Sequence, residues 1–313
     1  GCDGIEEINM PDTVDYIYSE AFANCSQLKK VNIGYNLKSI GKDAFSGCPI
    51  NEFVVDNEMV SYVEQVFSQE AEALTIYGWL ESSTETYAKE NGYTFKAYTP
   101  SLTNVVAESK GIHVYWEAFP RETTYEVYRS TSKTSGYTLI KSGVEGTDYL
   151  DTTVKSGTTY YYKIVAVRNR NQYIVVYTVK SGFSNASDGI TYLAAPTFKK
   201  IVNVVSGVHV YWNASIGAKT YSVYRSINKT SGYTLVKSGL TATHYIDTTV
   251  KSGTTYYYKI IALNGSVKSA YSKPFNAITY VGTPDITSRF NKGAGVQLGW
   301  NKIAGATGYA IYR

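Results

Sequence analysis

The sequence predicts a multidomain, mainly β chain in which a short solenoid of stacked coils precedes tandem β-sandwiches. Three observations predict it. An apolar pattern recurs at spacings of 23 and then 22 residues near the N-terminus. Blocks of near-identical sequence recur 96 residues apart over the remainder. The composition counts 31 Tyr against 2 Met and 3 His, and Tyr, Thr and Val favour strands over helices.

The N-terminal rhythm sets Ile5, Ile8 and Met10 against Leu28, Val31 and Ile33, and Val14, Ile17, Ala21 and Phe22 against Leu37, Ile40, Ala44 and Phe45. The next copy brings Ile50, Phe53 and Val55, continued by Met59, Tyr62, Val66 and Phe67. Self-similarity at 20 to 29 residues marks a leucine-rich solenoid. One coil cannot bury its own apolar edge, so coils stack and share a core. Cys-x-x-Leu-x-x-Val-x-Ile from Cys25, followed by Ile-Gly-x-x-Ala-Phe from Ile40, resembles the bacterial surface leucine-rich repeats of the BspA type.

Residues 74–98 are expected to close the solenoid. Leu74 to Gly78 reads as one more short strand, Ser82 with Glu85 as a capping box, Gly92 as a left-handed helix stop, and Tyr93 to Ala97 as an edge strand. The other end, at Cys2 and Ile5, has no such cap, so further coils are expected upstream in the parent protein. Cys2, Cys25 and Cys48 fall on the repeat period. They read as small buried residues at one ladder position, with a reactive thiol, a disulfide or a lipoprotein start at Cys2 as the alternatives. Residues 1–98 carry a net −10 and residues 99–313 a net +14, an asymmetry that marks modules with different surfaces.

In the second part, Asp151 to Lys163 recurs unchanged as Asp247 to Lys259, and residues 128–143 match 224–239 at 13 of 16 positions. Trp116, Trp212 and Trp300 mark three copies at spacings of 96 and 88. The extra length of the first copy is assigned to a longer hairpin around Arg168 to Lys180. Period-2 alternation, as in Ile112, Val114 and Trp116 or Tyr160, Tyr162 and Ile164, with about seven strands per copy, fits an immunoglobulin-like sandwich of roughly 100 residues.

Gly157-x-x-Tyr160 and Gly253-x-x-Tyr256 resemble the tyrosine corner of fibronectin type III domains. Val-x-Trp at 114–116 and 210–212, and Tyr-x-Val-Tyr-Arg at 125–129 and 221–225, resemble the same family; Leu298-x-Trp300 and Tyr309 to Arg313 are its third appearance. The expected modules are residues 1–98 as repeats with a C-terminal cap, 99–194 and 195–282 as complete sandwiches, and 283–313 as a truncated third, with 285–313 poorly stable without the missing strands.

Catalytic signatures are not found. There is no GxGxxG, P-loop, HExxH or EF-hand loop, and no Ser or Cys near a His in a nucleophile pattern. His113 and His209 occupy the same outward strand position in two copies. In the second copy Asp247 is the single acid between Phe198 and Gly282, so the paired carboxyls of a glycoside hydrolase are not available there. No cofactor, metal site or enzymatic activity is expected. The basic residues are spread over two modules without a recognition helix, which argues against nucleic acid, and no apolar run is long enough for a membrane span.

What remains is a surface. Tyr128, Tyr161 and Lys163, repeated as Tyr224, Tyr257 and Lys259, alternate outward, and Lys141 and Lys237 lie on the neighbouring strand. Such a face of rings and ammonium groups suits an anionic cell-wall polymer or acidic glycan; the competing reading is an ordinary solvated sheet face, with Tyr packed beside Lys stems. The BspA-type resemblance implies an extracellular protein of the bacterial surface that attaches to a host extracellular protein or surface glycan, with the sandwiches as spacer; because the sequence opens and stops inside repeats, the export signal and anchor are expected outside these residues. The alternatives are accessory modules of a large secreted enzyme, or sandwiches that bind a host protein such as an immunoglobulin.

Overall fold

The structure is a computed structural model describing residues 2–312 except 3, 69–72, 120, 122, 173–174, 276–277 and 294; of residues 170–176 no side chain is described. Gly1, Arg313 and the tip of the long first-copy hairpin therefore lie outside the described residues.

Alternation of outward side chains with inward apolar ones over two to four residues gives the coils their rungs. β1 (Glu7–Asn9), β2 (Tyr16–Ile17), β3 (Lys30–Ile33), β4 (Ser39–Ile40), β5 (Glu52–Val55), β6 (Ser61–Tyr62), β7 (Thr75–Gly78) and β8 (Thr94–Ala97) make two parallel sheets. One has the order β1-β3-β5-β7-β8 and the other β2-β4-β6. Register follows the repeat: Ile8, Val31, Phe53, Ile76 and Phe95 stand in one row. Leu28, Val31, Ile40, Phe45 and Phe53 are fully buried in the shared core, where Phe22, Phe45 and Phe67 stack at ring spacings of 5.3 and 6.0 Å.

No disulfide joins Cys2, Cys25 and Cys48. Cys25 is fully buried, while Cys2 and Cys48 are half-buried. Burial pushes the Cys48 thiol above its ordinary pKa, and its S–H donates to the Phe22 carbonyl.

The cap contains the helix α1 (Ser83–Glu90), whose N-cap Ser82 hydroxyl accepts from the Glu85 amide. The return arm differs from the expected box: Glu85 accepts from the Glu81 amide, one residue further back. Gly92 sits at φ +73°, and the Tyr93 amide bonds to the Ala88 carbonyl, closing the helix as a left-handed stop requires.

From β9 (Leu102–Ala107) onward the pairing is antiparallel. β10 (Ile112–Trp116), β11 (Thr123–Ser130), β12 (Thr138–Val144), β13 (Asp148–Asp151), β14 (Thr158–Gln172), β15 (Val175–Lys180) and β16 (Ile190–Tyr192) give sheets β13-β10-β9 and β12-β11-β14-β15, with β16 also on β14. β17 (Thr197–Val204), β18 (Gly207–Asn213), β19 (Thr220–Ser226), β20 (Thr234–Leu240), β21 (His244–Asp247), β22 (Thr255–Asn264), β23 (Val267–Lys268) and β24 (Ile278–Thr279) repeat that order. β25 (Ile286–Lys292) and β26 (Gly295–Trp300) form a hairpin. This three-plus-four arrangement is that of a fibronectin type III sandwich. Trp212, Val223, Tyr258 and Ile260 are buried in the second core, and Trp116 is 3% and Trp212 2% exposed. Each tyrosine corner is closed: Tyr160 accepts from the Lys155 amide at 3.0 Å and Tyr256 from the Lys251 amide at 2.9 Å.

Beyond β15 the edge of β14 is finished by serines three residues apart. Ser181, Ser184 and Ser187 accept from the amides of Ala166, Ile164 and Tyr162. Ser269 and Ser272 do the same for Ala262 and Ile260. A chain with three residues per turn presents such a row without strand geometry.

The described chain divides into two compact units. One holds Gly1–Val105, Val114–Tyr149 and Tyr161–Asp188, and the other Val106–His113, Leu150–Tyr160 and Gly189–Arg313. No described helix is long and apolar enough to cross a membrane.

Candidate functional site

Antiparallel register makes Tyr128 the partner of Lys163 and Ser130 the partner of Tyr161. Tyr224 with Lys259 and Ser226 with Tyr257 repeat this. The neighbouring strand carries a bulge in each copy. Lys141 and Lys237 therefore oppose core residues Val127 and Val223, and it is Leu139 and Leu235 that stand opposite Tyr128 and Tyr224. Lys141 and Lys237 are exposed, but the register aligns them with a different row.

The rings that meet the lysines include two pairs the sequence reading passed over. Lys163 Nζ lies 4.7 Å from the Tyr137 ring centre and 5.5 Å from that of Phe183, which packs edge-on against Tyr128. Lys259 Nζ lies 4.2 Å from Tyr233 and 5.7 Å from Tyr271, which packs edge-on against Tyr224. An ammonium over an aromatic face is held by the ring quadrupole. Tyr137 and Tyr233 lie inside the near-identical block, and Phe183 and Tyr271 each immediately precede a ladder serine; these repeated positions were the signal available.

Four phenols of this face, those of Tyr128, Tyr137, Tyr233 and Tyr271, are held in their neutral form. Burial, then the hydrogen bond it donates to Glu126, pushes Tyr128 up to about 12. Tyr137 is raised by burial and then Tyr161, Tyr233 by burial and then Tyr257, and Tyr271 by burial and then Tyr224. Phe183 and Tyr271 remain about half exposed, at 47% and 49%. Each copy thus offers one cation, neutral rings and an open aromatic edge.

The solenoid offers a different surface. Its five-stranded sheet turns Asn9, Asn32, Val54, Tyr77 and Lys96 outward in one row. Lys96 Nζ lies 5.7 Å over the Tyr77 ring, and Lys30 is flanked by Glu7 and Glu52 in the adjoining row.

Two kinds of joint hold modules together. Within the first unit, Arg168 is 2% exposed between the rings of Tyr35 and Trp79, at 5.2 and 4.3 Å. It donates to Asp56, and its Nη1 is 3.7 Å from Glu58. Arg121 pairs with Asp12 and Asp56, holding the Asp12 carboxyl below its ordinary pKa together with the larger effect of the Tyr35 amide. Trp79 was not singled out in the sequence because it belongs to neither repeat.

Within the second unit, Ser156 Oγ donates to the Ile216 carbonyl and accepts from the Ala194 amide. Ser252 likewise donates to Ala304 and accepts from Gly282. Gly217 at φ +83° and Gly305 at +81° meet Gly157 and Gly253 backbone to backbone. The equivalent position of the first copy, five residues after its Trp, is Arg121 at φ +64°. Among the described residues no group of three or more His, Cys, Asp or Glu is placed to hold a metal ion.

The family described as BspA type Leucine rich repeat region matches residues 1–125 in six copies. The match runs past the last parallel rung at Ala97 into the first antiparallel strands. No curated protein matches the chain. Among solved structures, a Fn3-like protein from Clostridium thermocellum is 36% identical, with 28% of this chain and 93% of that one covered and a TM-score of 0.27. The interferon gamma receptor alpha chain of chicken is 12% identical over 58% of this chain and 97% of its own, with a TM-score of 0.35. The FN1–FN3 domains of chicken CNTN1 are 15% identical over 60% and 70%, with a TM-score of 0.30. Leucine-rich repeats and fibronectin type III-like sandwiches are typically non-catalytic, and the chain consists of a region similar to BspA-type leucine-rich repeats followed by fibronectin type III-like sandwiches.

Proposed function

We propose that the chain is a non-catalytic binding protein of the bacterial cell surface, whose solenoid sheet engages a host extracellular protein or glycan while the sandwiches act as spacer. The observation that carries this reading is the solenoid sheet itself. Five parallel strands present outward a mixed row of Asn, Val, Tyr and Lys side chains whose inward neighbours are fully used by the core. The repeated serine-glycine joint supports the spacer role, because it removes freedom from the short connectors around Pro196 and Pro284. We take the modules as residues 1–98, 99–194, 195–282 and 283–313.

A second reading rests on the duplicated lysine-and-ring face: weak retention of an anionic polymer, through Tyr128, Tyr161 and Lys163 and their counterparts Tyr224, Tyr257 and Lys259. One experiment separates the two. The full chain is screened against extracellular-matrix proteins and an acidic-glycan array, alongside Tyr77→Ser and the double variant Lys163→Glu with Lys259→Glu. Loss of binding in Tyr77→Ser alone supports the solenoid reading, and loss in the lysine pair alone supports the second. Binding to matrix protein that neither variant changes sinks both.

A further inference from the structure

We propose that His209 and His244 form a chelating site for one late first-row divalent ion, with Cu2+ preferred over Ni2+ and Zn2+. Val208, Val210 and Trp212 take the inner face of β18, so His209 and Tyr211 project from the outer one. The register pairs His209 with Ile246 and Tyr211 with His244, so the two imidazoles meet diagonally across the strand pair.

His209 Nε2 stands 3.1 Å from His244 Nδ1. Imidazole nitrogen binds such ions at about 2.0–2.1 Å, so this bite subtends roughly 100° at a shared metal, between the right angle of square-planar or octahedral geometry and the tetrahedral angle. To accept the ion the two rings turn their facing nitrogens from each other toward a shared point, and one proton moves: without metal, one of the facing nitrogens donates to the other, and for both to face a cation each ring must carry its proton on its far nitrogen.

For His209 the receiver of that proton is in place. Tyr211 Oη lies 2.8 Å from His209 Nδ1, so an Nδ1–H can donate to the phenol oxygen and free Nε2, the arrangement by which a second partner orients a metal-bound histidine. Lys200 works against the cation: its ammonium lies 4.5 Å over the Tyr211 ring. With two protein ligands the remaining positions go to water, and the site is open to exchange.

The first sandwich does not repeat the pair. Asp148 occupies the position of His244, and His113 Nδ1 faces Glu108 Oε1 at 3.0 Å. The site is thus specific to the second copy, although the blocks at 128–143 and 151–163 are repeated there almost unchanged.

The test uses the full chain. Histidine side-chain NMR during titration with Zn2+, which leaves thiols unoxidised, is expected to shift His209 and His244 together and to leave His113 in place. Competition calorimetry is expected to rank Cu2+ tightest at one ion per chain, with that site abolished by His209→Ala and by His244→Ala. Both side chains lie on the outer face, so the variants are expected to fold; unchanged melting confirms it. Tyr211→Phe is expected to weaken binding about tenfold, and Lys200→Gln to tighten it. Zn2+ shifts confined to a single histidine, or Cu2+ binding that survives in the His209→Ala, His244→Ala double variant, would overturn the assignment.

Discussion

Arg168 Nη1 lies 3.0 Å from Asp56 Oδ1 and 2.9 Å from the Asp56 carbonyl oxygen, which ties the long strand of the first sandwich to the third coil of the solenoid. The guanidinium is closed off by Tyr35 and Trp79 and approaches Glu58, itself 2% exposed. Removing one partner of a buried ion pair leaves the other charge without compensation, at a cost of about 3–5 kcal/mol. Arg168→Ala is therefore expected to lower the unfolding free energy read from the solenoid's urea transition by that amount, with a lower midpoint, and to expose the Trp79 fluorophore. Arg168→Lys is expected to recover little, since a point ammonium cannot both stack between two rings and donate twice. An unchanged midpoint in Arg168→Ala would show that the pair contributes nothing net.

The acidic solenoid and basic sandwiches were visible as a charge split, but where the charges meet was not. Arg121 and Arg168 find Asp12, Asp56 and Glu58 across sequence separations that no period links. Core positions were legible because each is repeated: Phe45 or Trp212 has a counterpart that fixes its phase. Trp79 has none. Lys141 and Lys237 are placed beside Tyr128 and Tyr224 only by lying on the neighbouring strand, and nothing in the sequence marks the bulge that pairs them with Val127 and Val223 instead. The serine ladder was equally hidden, because its three-residue period is neither that of a strand nor that of a helix.

That ladder makes a direct prediction. Ser184 Oγ is the acceptor for the buried Ile164 amide at 3.0 Å. Ser184→Ala leaves that amide without an acceptor in a site closed to water, a loss of about 1–3 kcal/mol. Amide exchange at Ile164 is expected to accelerate markedly while exchange at Val127, across the other side of the strand, follows only the global change. Equal protection at Ile164 in both proteins would remove the ladder from the list of stabilising features.

Acid stability is expected to depend on Asp247. The carboxylate is fully buried, and burial alone pushes its pKa up. Hydrogen bonds from the Thr249 hydroxyl and amide, from Tyr258 and from Arg225 outweigh that and leave it below the ordinary value. A carboxyl depressed on folding contributes stability that is fully present above its unfolded value of about 3.9 and is lost as pH falls through the folded one. The second sandwich should therefore hold its melting temperature from pH 7 to about 5 and lose it progressively below about 4. Asp247→Asn should lower stability at pH 7 and flatten the acid limb. A variant with the same acid limb as the parent would assign the loss to other carboxyls.

The joint between sandwiches gives the last prediction, because its glycines can be tested against an internal control. Gly217 is left-handed at φ +83°, and a Cβ there would run into the Cα of Gly157; Gly239 is left-handed at φ +69° with nothing within 4 Å of where its Cβ would sit. Alanine at Gly239 meets only the backbone penalty, about 1 kcal/mol. Alanine at Gly217 meets the same penalty and must also push two backbones apart, breaking the bond from Ser156 Oγ to Ile216. Gly217→Ala is thus expected to cost measurably more than Gly239→Ala, and to raise protease cleavage near Leu193 and Ala194, whose amide is held by Ser156. Equal costs for the two substitutions, with no new cleavage, would mean that Gly157 and Gly217 touch without constraining each other, and that the sandwiches turn freely about their connectors.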